Sequence, residues 1–248
     1  MTGSLAKLTF TEFTLLRRDV ASIILPFALP LGLLVGFGSA SDMRTPTPDF
    51  GGLSAFDVFI VPIALVIVLT MMAITVFPVT LSTYRERGVL RRLATTPVHP
   101  LSVLVAQLAV HIGLVATSLG LTAIVAGTVF GVAAPRDLGA AVGVLVLGTF
   151  ALYALGVCIA ALAPKASTAT AYGMGLFFPQ LLLGGLMVPA DALPDILARI
   201  GEFTPVGATL HGVQDAWTGQ GVSALHLIVL SVWAIAMIAI SAWRFRWD

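Results

Sequence analysis

The chain has 248 residues, 58% of them hydrophobic and 10% charged, with a formal net charge of +1 and a mean hydropathy of +1.02. Soluble domains are about 45–50% apolar and about 25% charged, so this composition leaves too little polar surface to cover a core in water, and it excludes soluble globular, disordered and collagen-like chains. What remains is an all-α integral membrane protein whose helices bury apolar surface in lipid as well as against one another.

Residues 1–19 carry Lys7, Arg17 and Arg18 and show no signal-peptide cleavage pattern. Lys7, Thr11, Thr14 and Arg18 share one helical face and Leu5, Leu8, Leu15 and Leu16 another, which predicts an amphipathic surface helix over 4–18. Glu12 falls on its apolar side, and a frayed polar tail is the alternative. A first span is predicted over 20–38, with Pro26 and Pro30 inside it. Its Gly32 and Gly36 are spaced so that a second helix can come close. A polar, turn-rich loop follows over 39–57, then a second span over 58–81 and a charged segment over 82–100.

The third hydrophobic stretch, 101–134, is longer than one membrane thickness and is read as a single helix projecting past the membrane. Pro135, Arg136 and Asp137 end it. A fourth span is predicted over 138–163, a short turn at Pro164 and Lys165, a fifth span over 168–188 and a sixth over 222–243. In the segment 189–221, Leu193, Ile196, Leu197 and Ile200 form one apolar stripe and Val206, Leu210, Val213 and Trp217 another. These predict two short amphipathic helices broken near Pro205, in an external segment that is re-entrant or interfacial. The whole chain, 1–248, reads as one transmembrane domain.

Six spans put both termini on one side. With that side cytoplasmic, ten basic residues are inside and only Arg44, Arg136 and Arg199 outside, which agrees with the positive-inside rule and points to the cytoplasmic membrane. Trp243 and Trp247 suit the interfacial belt at the end of the sixth span.

Several chemistries find no residues to carry them. The only lysines are Lys7 and Lys165, neither after a glycine, so the chain has no G-x-x-x-x-G-K-[ST] phosphate loop. His99, His111, His211 and His226 form no metal-ligand spacing with Cys, Asp or Glu, and the single cysteine, Cys158, cannot form an internal disulfide. No serine-hydrolase or intramembrane-protease pattern is present. The densest charge lies in residues 84–100. A membrane-adjacent loop held on anionic headgroups would account for the charge alone.

The order of residues carries more. The run Tyr84-Arg85-Glu86-Arg87-Gly88-Val89-Leu90-Arg91-Arg92-Leu93-Ala94-Thr95-Thr96-Pro97 resembles the coupling-helix motif of ABC transporter permeases of the type-2 export family. In that family an E-R-E-R-G-T-L stretch and a later Thr-Pro lie between spans two and three. The later series Leu183 to Pro189, Leu193-Pro194, Thr204-Pro205 and Trp217-Thr218-Gly219 resembles the family's region after span five. Tyr84 stands where the family has the first acid of E-x-E, a departure that bears on the polar contact to the ATPase.

The resemblance implies a permease subunit of an ATP-driven exporter for drug, lipid, peptide or polysaccharide cargo, with no catalytic residue of its own. It implies that Tyr84, Arg85, Glu86, Arg87, Gly88, Leu90, Arg91, Leu93, Thr96 and Pro97 dock as a coupling helix on an ABC ATPase subunit. Two ATPase copies would bind ATP and Mg, and a second permease copy would complete the transporter, with membrane lipid as surroundings and no nucleic acid involved. Within the spans, Gln107 and His111 lie one turn apart, and Gln180 lies near Phe177 and Phe178. They line a substrate path or a dimer interface, or are a locally satisfied polar pair and lipid-facing aromatics. The rival readings are an ion-coupled secondary transporter, which would need intramembrane carboxylates where only Asp57 is near a span, and a regulatory membrane subunit that passes no substrate.

Overall fold

A computed structural model describes residues 20–88, 100–188 and 192–244. The surface helix expected over 4–18 and most of the expected coupling helix, Val89 to His99, lie outside the described residues. The described chain is helical, with one isolated bridge, Pro46 to Ser54, in the loop after the first helix. In chain order the helices are α1 (Val20–Gly38), α2 (Phe56–Glu86), α3 (Pro100–Val129), α4 (Leu138–Leu162), α5 (Ala166–Leu183), α6 (Asp195–Glu202), α7 (Pro205–Thr218) and α8 (Ala224–Arg244). Among the described residues, four helices are long and apolar enough to cross a membrane: α2, α4, residues Leu104–Val129 of α3 and Ala224–Trp243 of α8. The chain is a multi-pass membrane protein.

α2 is the axis of the bundle. Its apolar window is 78% buried by the other helices, against 22% for α3 and 28% for α8, so α2 is inside and those two are peripheral. It touches α1, α3, α4, α5 and α7. With 31 residues it is about 46 Å long, more than the roughly 30 Å hydrocarbon core. Ser54 and Asp57 start it with a reciprocal cap: Ser54 N–H donates to Asp57 Oδ2 at 2.8 Å and Asp57 N–H to Ser54 Oγ at 3.2 Å.

Two prolines shape this helix. A proline has no N–H and its ring crowds the carbonyl four residues earlier. Pro62 and Pro78 follow π turns at Phe56–Ile60 and Met72–Val76, which hold the crowded carbonyls of Val58 and Ile74. The second π turn is gripped from both sides. A Cβ on Gly156 of α4 would overlap Ala73 O, and one on Gly173 of α5 would come within 2.7 Å of Ile74 O. Glycines at these two positions let α4 and α5 seat on the widened turn. A similar repair serves α1, where Pro30 leaves Pro26 O unbonded in the helix and Ser118 Oγ of α3 donates to it at 2.5 Å.

The boundaries differ from the sequence expectations where tertiary contacts extend or absorb a segment. α2 continues past residue 81 to Glu86, because its polar last turn packs on the α4–α5 turn. It stops where Gly88 takes φ +66, a left-handed conformation that closes the helix. α3 ends at Val129, short of 134. α7 lies within the bundle, with Val206, Leu210, Val213 and Trp217 all buried against its neighbours. α6 is different: Ile196 is 74% exposed, and Leu197, Ile200 and Phe203 are exposed beside it.

One end of the bundle is tied by polar contacts between loops. Asp57 Oδ1 accepts Ala133 N–H at 3.2 Å, Trp217 Nε1 donates to Ala133 O at 3.2 Å, and Arg136 donates to Gly51 O at 2.6 Å and Thr218 O at 3.2 Å. At the other end lie the last turn of α2 and the α4–α5 turn.

The glycine seats give a direct test. Gly156→Val should lower stability by about 1–3 kcal/mol through overpacking. Gly175→Ala, where nothing lies within 4 Å of an added Cβ, should change stability little. Thermal unfolding of the detergent-solubilised protein, followed by tryptophan fluorescence, compares the two.

Candidate functional site

The last turn of α2 brings Arg85 and Glu86 to the α4–α5 turn, eighty residues away in sequence for the Glu86 contact. Arg85 is half-buried and Nη1 donates to Ala160 O at 3.0 Å and Ala163 O at 3.2 Å. These are carbonyls at the end of α4, where the helix dipole is negative and a cation is favoured. Glu86 Oε2 accepts Ala166 N–H at 3.1 Å, at the first residue of α5, where the dipole is positive and an acid is favoured. Lys165 occupies the N-cap position of α5 and makes no side-chain cap bond there, so Glu86 supplies the cap from another helix. Two neighbouring side chains of opposite charge thus each meet the helix pole of opposite sign. Tyr84 is half-buried, Arg87 is exposed, and Gly88 ends the helix. Leu90, Arg91, Leu93, Thr96 and Pro97 lie outside the described residues.

Gln107 and His111 are 1% and 2% exposed, and their side chains point into the interior. The imidazole meets Phe77 of α2 edge-on, ring centres 5.4 Å apart, and Tyr153 of α4 meets the same phenylalanine at 5.4 Å. The Gln107 amide, His111 Nδ1 and the Tyr153 hydroxyl find no hydrogen-bond partner among the described residues. A buried polar atom without a partner costs about 1–3 kcal/mol, so this cluster around Phe77 is a place where the core gives up stability. Tyr153 was not singled out by sequence, because an aromatic in an apolar helix carries no signal of which neighbours surround its hydroxyl.

The remaining candidates separate. Gln180 is buried, and its Oε1 accepts Val206 N–H at 3.4 Å, joining α5 to the first turn of α7. Phe177 is buried, whereas Phe178 is 56% exposed, their rings edge to face at 5.6 Å. No described residue comes within 4 Å of a Cβ added at Gly32 or Gly36, so that pair seats no described helix. At the opposite end, His226 Nδ1 lies 3.3 Å from Asp215 Oδ2, and the same oxygen accepts Ser223 N–H at 3.3 Å. This contact joins α7 to α8. Neither residue carries a sequence signal for this contact, since the two are brought together by the α7–α8 turn.

The sequence model of the ABC-2 type transporter family matches residues 5–217. The chain belongs to the ABC-2 type transporter family. Residues 84–88, at the lower end of α2, fall inside the matched region, as do all the contacts just described between α2, α4 and α5. Two relatives are similar over shorter stretches. Nodulation protein J of Rhizobium leguminosarum bv. viciae is 27% identical over 108 residues, covering 43% of this chain and 42% of that protein. Nodulation protein J of Sinorhizobium fredii (strain NBRC 101917 / NGR234) is 31% identical over 98 residues, covering 38% and 37%. The matched stretches thus span about two fifths of these curated relatives.

For this ABC-2 chain the Tyr153 hydroxyl, without a hydrogen-bond partner among the described residues, gives a test of stability against function. Tyr153→Phe keeps the ring contact and removes the hydroxyl, and it should leave stability unchanged or raise it by about 1 kcal/mol. Thermal melting of the purified protein measures this, and a parallel loss of transport would assign the hydroxyl a working role.

Proposed function

We propose that this chain is the membrane-spanning permease subunit of an ABC exporter. It moves an amphipathic or hydrophobic substrate, such as a drug, lipid or peptide, out of the cytoplasm. The observation that carries this reading is the family match over residues 5–217, together with a charged run, Arg85 to Arg92, that begins in the last turn of α2, the most buried of the described spans. The family normally works with an ABC ATPase subunit. Two such subunits supply ATP hydrolysis here, binding ATP and Mg themselves. A second permease copy, identical or a sister chain, completes the transporter.

In this reading the chain crosses the cytoplasmic membrane six times: α1 and α5 join the four long apolar helices as spans. Both termini are cytoplasmic. The ten-to-three distribution of basic residues supports that orientation. Within residues 84–97, Arg87, Leu90, Arg91, Leu93, Thr96 and Pro97 are the docking residues offered to the ATPase. The exposed apolar side of α6 rests at the outer membrane interface. Asp57, the carboxylate nearest a span, has its oxygens bonded to Ser54 and Ala133, which suits a structural cap better than an ion-coupling site.

Copurification tests the assignment. Wild-type permease solubilised in mild detergent should bring down an ABC ATPase, and Arg91→Glu combined with Leu93→Asp should abolish that association while leaving the permease folded by size-exclusion chromatography. Persistence of the ATPase on the doubly substituted chain would exclude the docking segment.

A further inference from the structure

We infer that Arg85 and Glu86 are positioning residues that clamp the α4–α5 turn to the end of α2, so that α5 moves with the docking segment during the ATPase cycle. This rests on the permease reading above and assigns these two residues a task other than contact with the ATPase.

The geometry favours a clamp for three reasons. First, the Arg-Glu order matches the turn it meets. Arg85 donates to the closing carbonyls of α4, and Glu86 accepts from the opening N–H of α5. Each charge faces the helix pole of favourable sign, and exchanging the two residues would make both contacts unfavourable. Second, the turn has no cap of its own. Lys165 stands at the N-cap of α5, where a cation is disfavoured and no side-chain bond forms. α5 therefore depends on α2 for its first turn. Third, the same two helices meet again higher up, where Gly173 of α5 seats against Ile74 O and Thr75 Cα of the π turn. Two separated contacts between α2 and α5 resist both sliding and rotation, whereas one would leave a pivot. α8, by contrast, packs chiefly on α4 and α7.

Gly88 adds the mechanical boundary. The helix ends there in a left-handed residue two positions after Glu86, so the segment beyond it is joined to α2 at the clamp, as it is joined to α3 at Pro100. A displacement of the docking segment is thus delivered at once to α2 and α5.

The test uses the full permease–ATPase complex in lipid nanodiscs, with spin labels on Ser167→Cys of α5 and Ile238→Cys of α8 in a Cys158→Ala background. Distances are measured by pulsed electron resonance without nucleotide and after trapping with ATP and orthovanadate. In the otherwise unchanged chain, trapping should shift the α5–α8 distance. In Glu86→Ala the ATPase should still copurify and trap vanadate, but the shift should be lost. Glu86→Gln, which keeps an acceptor oxygen, should retain it. Adding Lys165→Asp to Glu86→Ala restores a local cap on α5 without restoring the bond to α2, and the shift should stay absent. The clamp is overturned if the reference complex shows no shift, if Glu86→Ala keeps it, if Glu86→Gln loses it as completely as Glu86→Ala does, if Lys165→Asp brings it back, or if Glu86→Ala releases the ATPase. Failure of the reference permease to hold any ATPase would instead defeat the permease reading, which separates the two outcomes.

Discussion

The interaction on which the rest of this bundle depends is the seating of two glycines on one distorted turn. Pro78 cannot accept a regular α-helical turn before it, so α2 widens at Met72–Val76. The carbonyls of Ala73 and Ile74 then face α4 and α5, and only residues without a Cβ fit opposite them. In lipid there is no hydrophobic gain in bringing two apolar helices together, so close packing at small residues is what holds them. Gly156 and Gly173 provide it on two sides of the same turn. The most buried of the four described long spans is thereby locked to its neighbours at a π turn of its hydrogen-bond ladder.

From that fixed point the two ends of the bundle are finished by different means. At one end Asp57, Arg136 and Trp217 join loops to backbone atoms, closing the α3–α4 connection over the start of α2 and the end of α7. At the other, Arg85 and Glu86 join helix ends through their dipoles. The first set makes a static cap whose partners are all loops or helix termini. The second lies at the start of the charged run Arg85 to Arg92. Between them, His111 and Tyr153 meet Phe77, and these two and Gln107 have polar atoms unpartnered among the described residues.

Part of this was legible from residues alone because lipid imposes simple rules. Composition excluded a soluble fold, and long apolar runs marked α2, α3, α4 and α8, whose ends fall within a few residues of the expected limits except where contacts intervene. The ordered run from Tyr84 to Pro97 pointed to the ABC-2 family, and the match over residues 5–217 shows it. What helical periodicity could not convey was which apolar stripe faces protein and which faces outward. The stripes of α6 and α7 look alike in sequence, yet Val206 and Leu210 are buried while Ile196 is exposed.

The sequence by itself determined that the chain is a helical membrane protein and where its charge is concentrated, because hydropathy and charge are local properties that each residue carries regardless of its neighbours. Only the tertiary structure decided what the charges at the end of α2 touch. Ala160, Ala163 and Ala166 are among the least informative residues in the chain, and their carbonyls and N–H become ligands for Arg85 and Glu86 only when α4 and α5 are folded against α2. Backbone groups at helix ends have no residue signature, so a site built from them is visible only once the helices are in place.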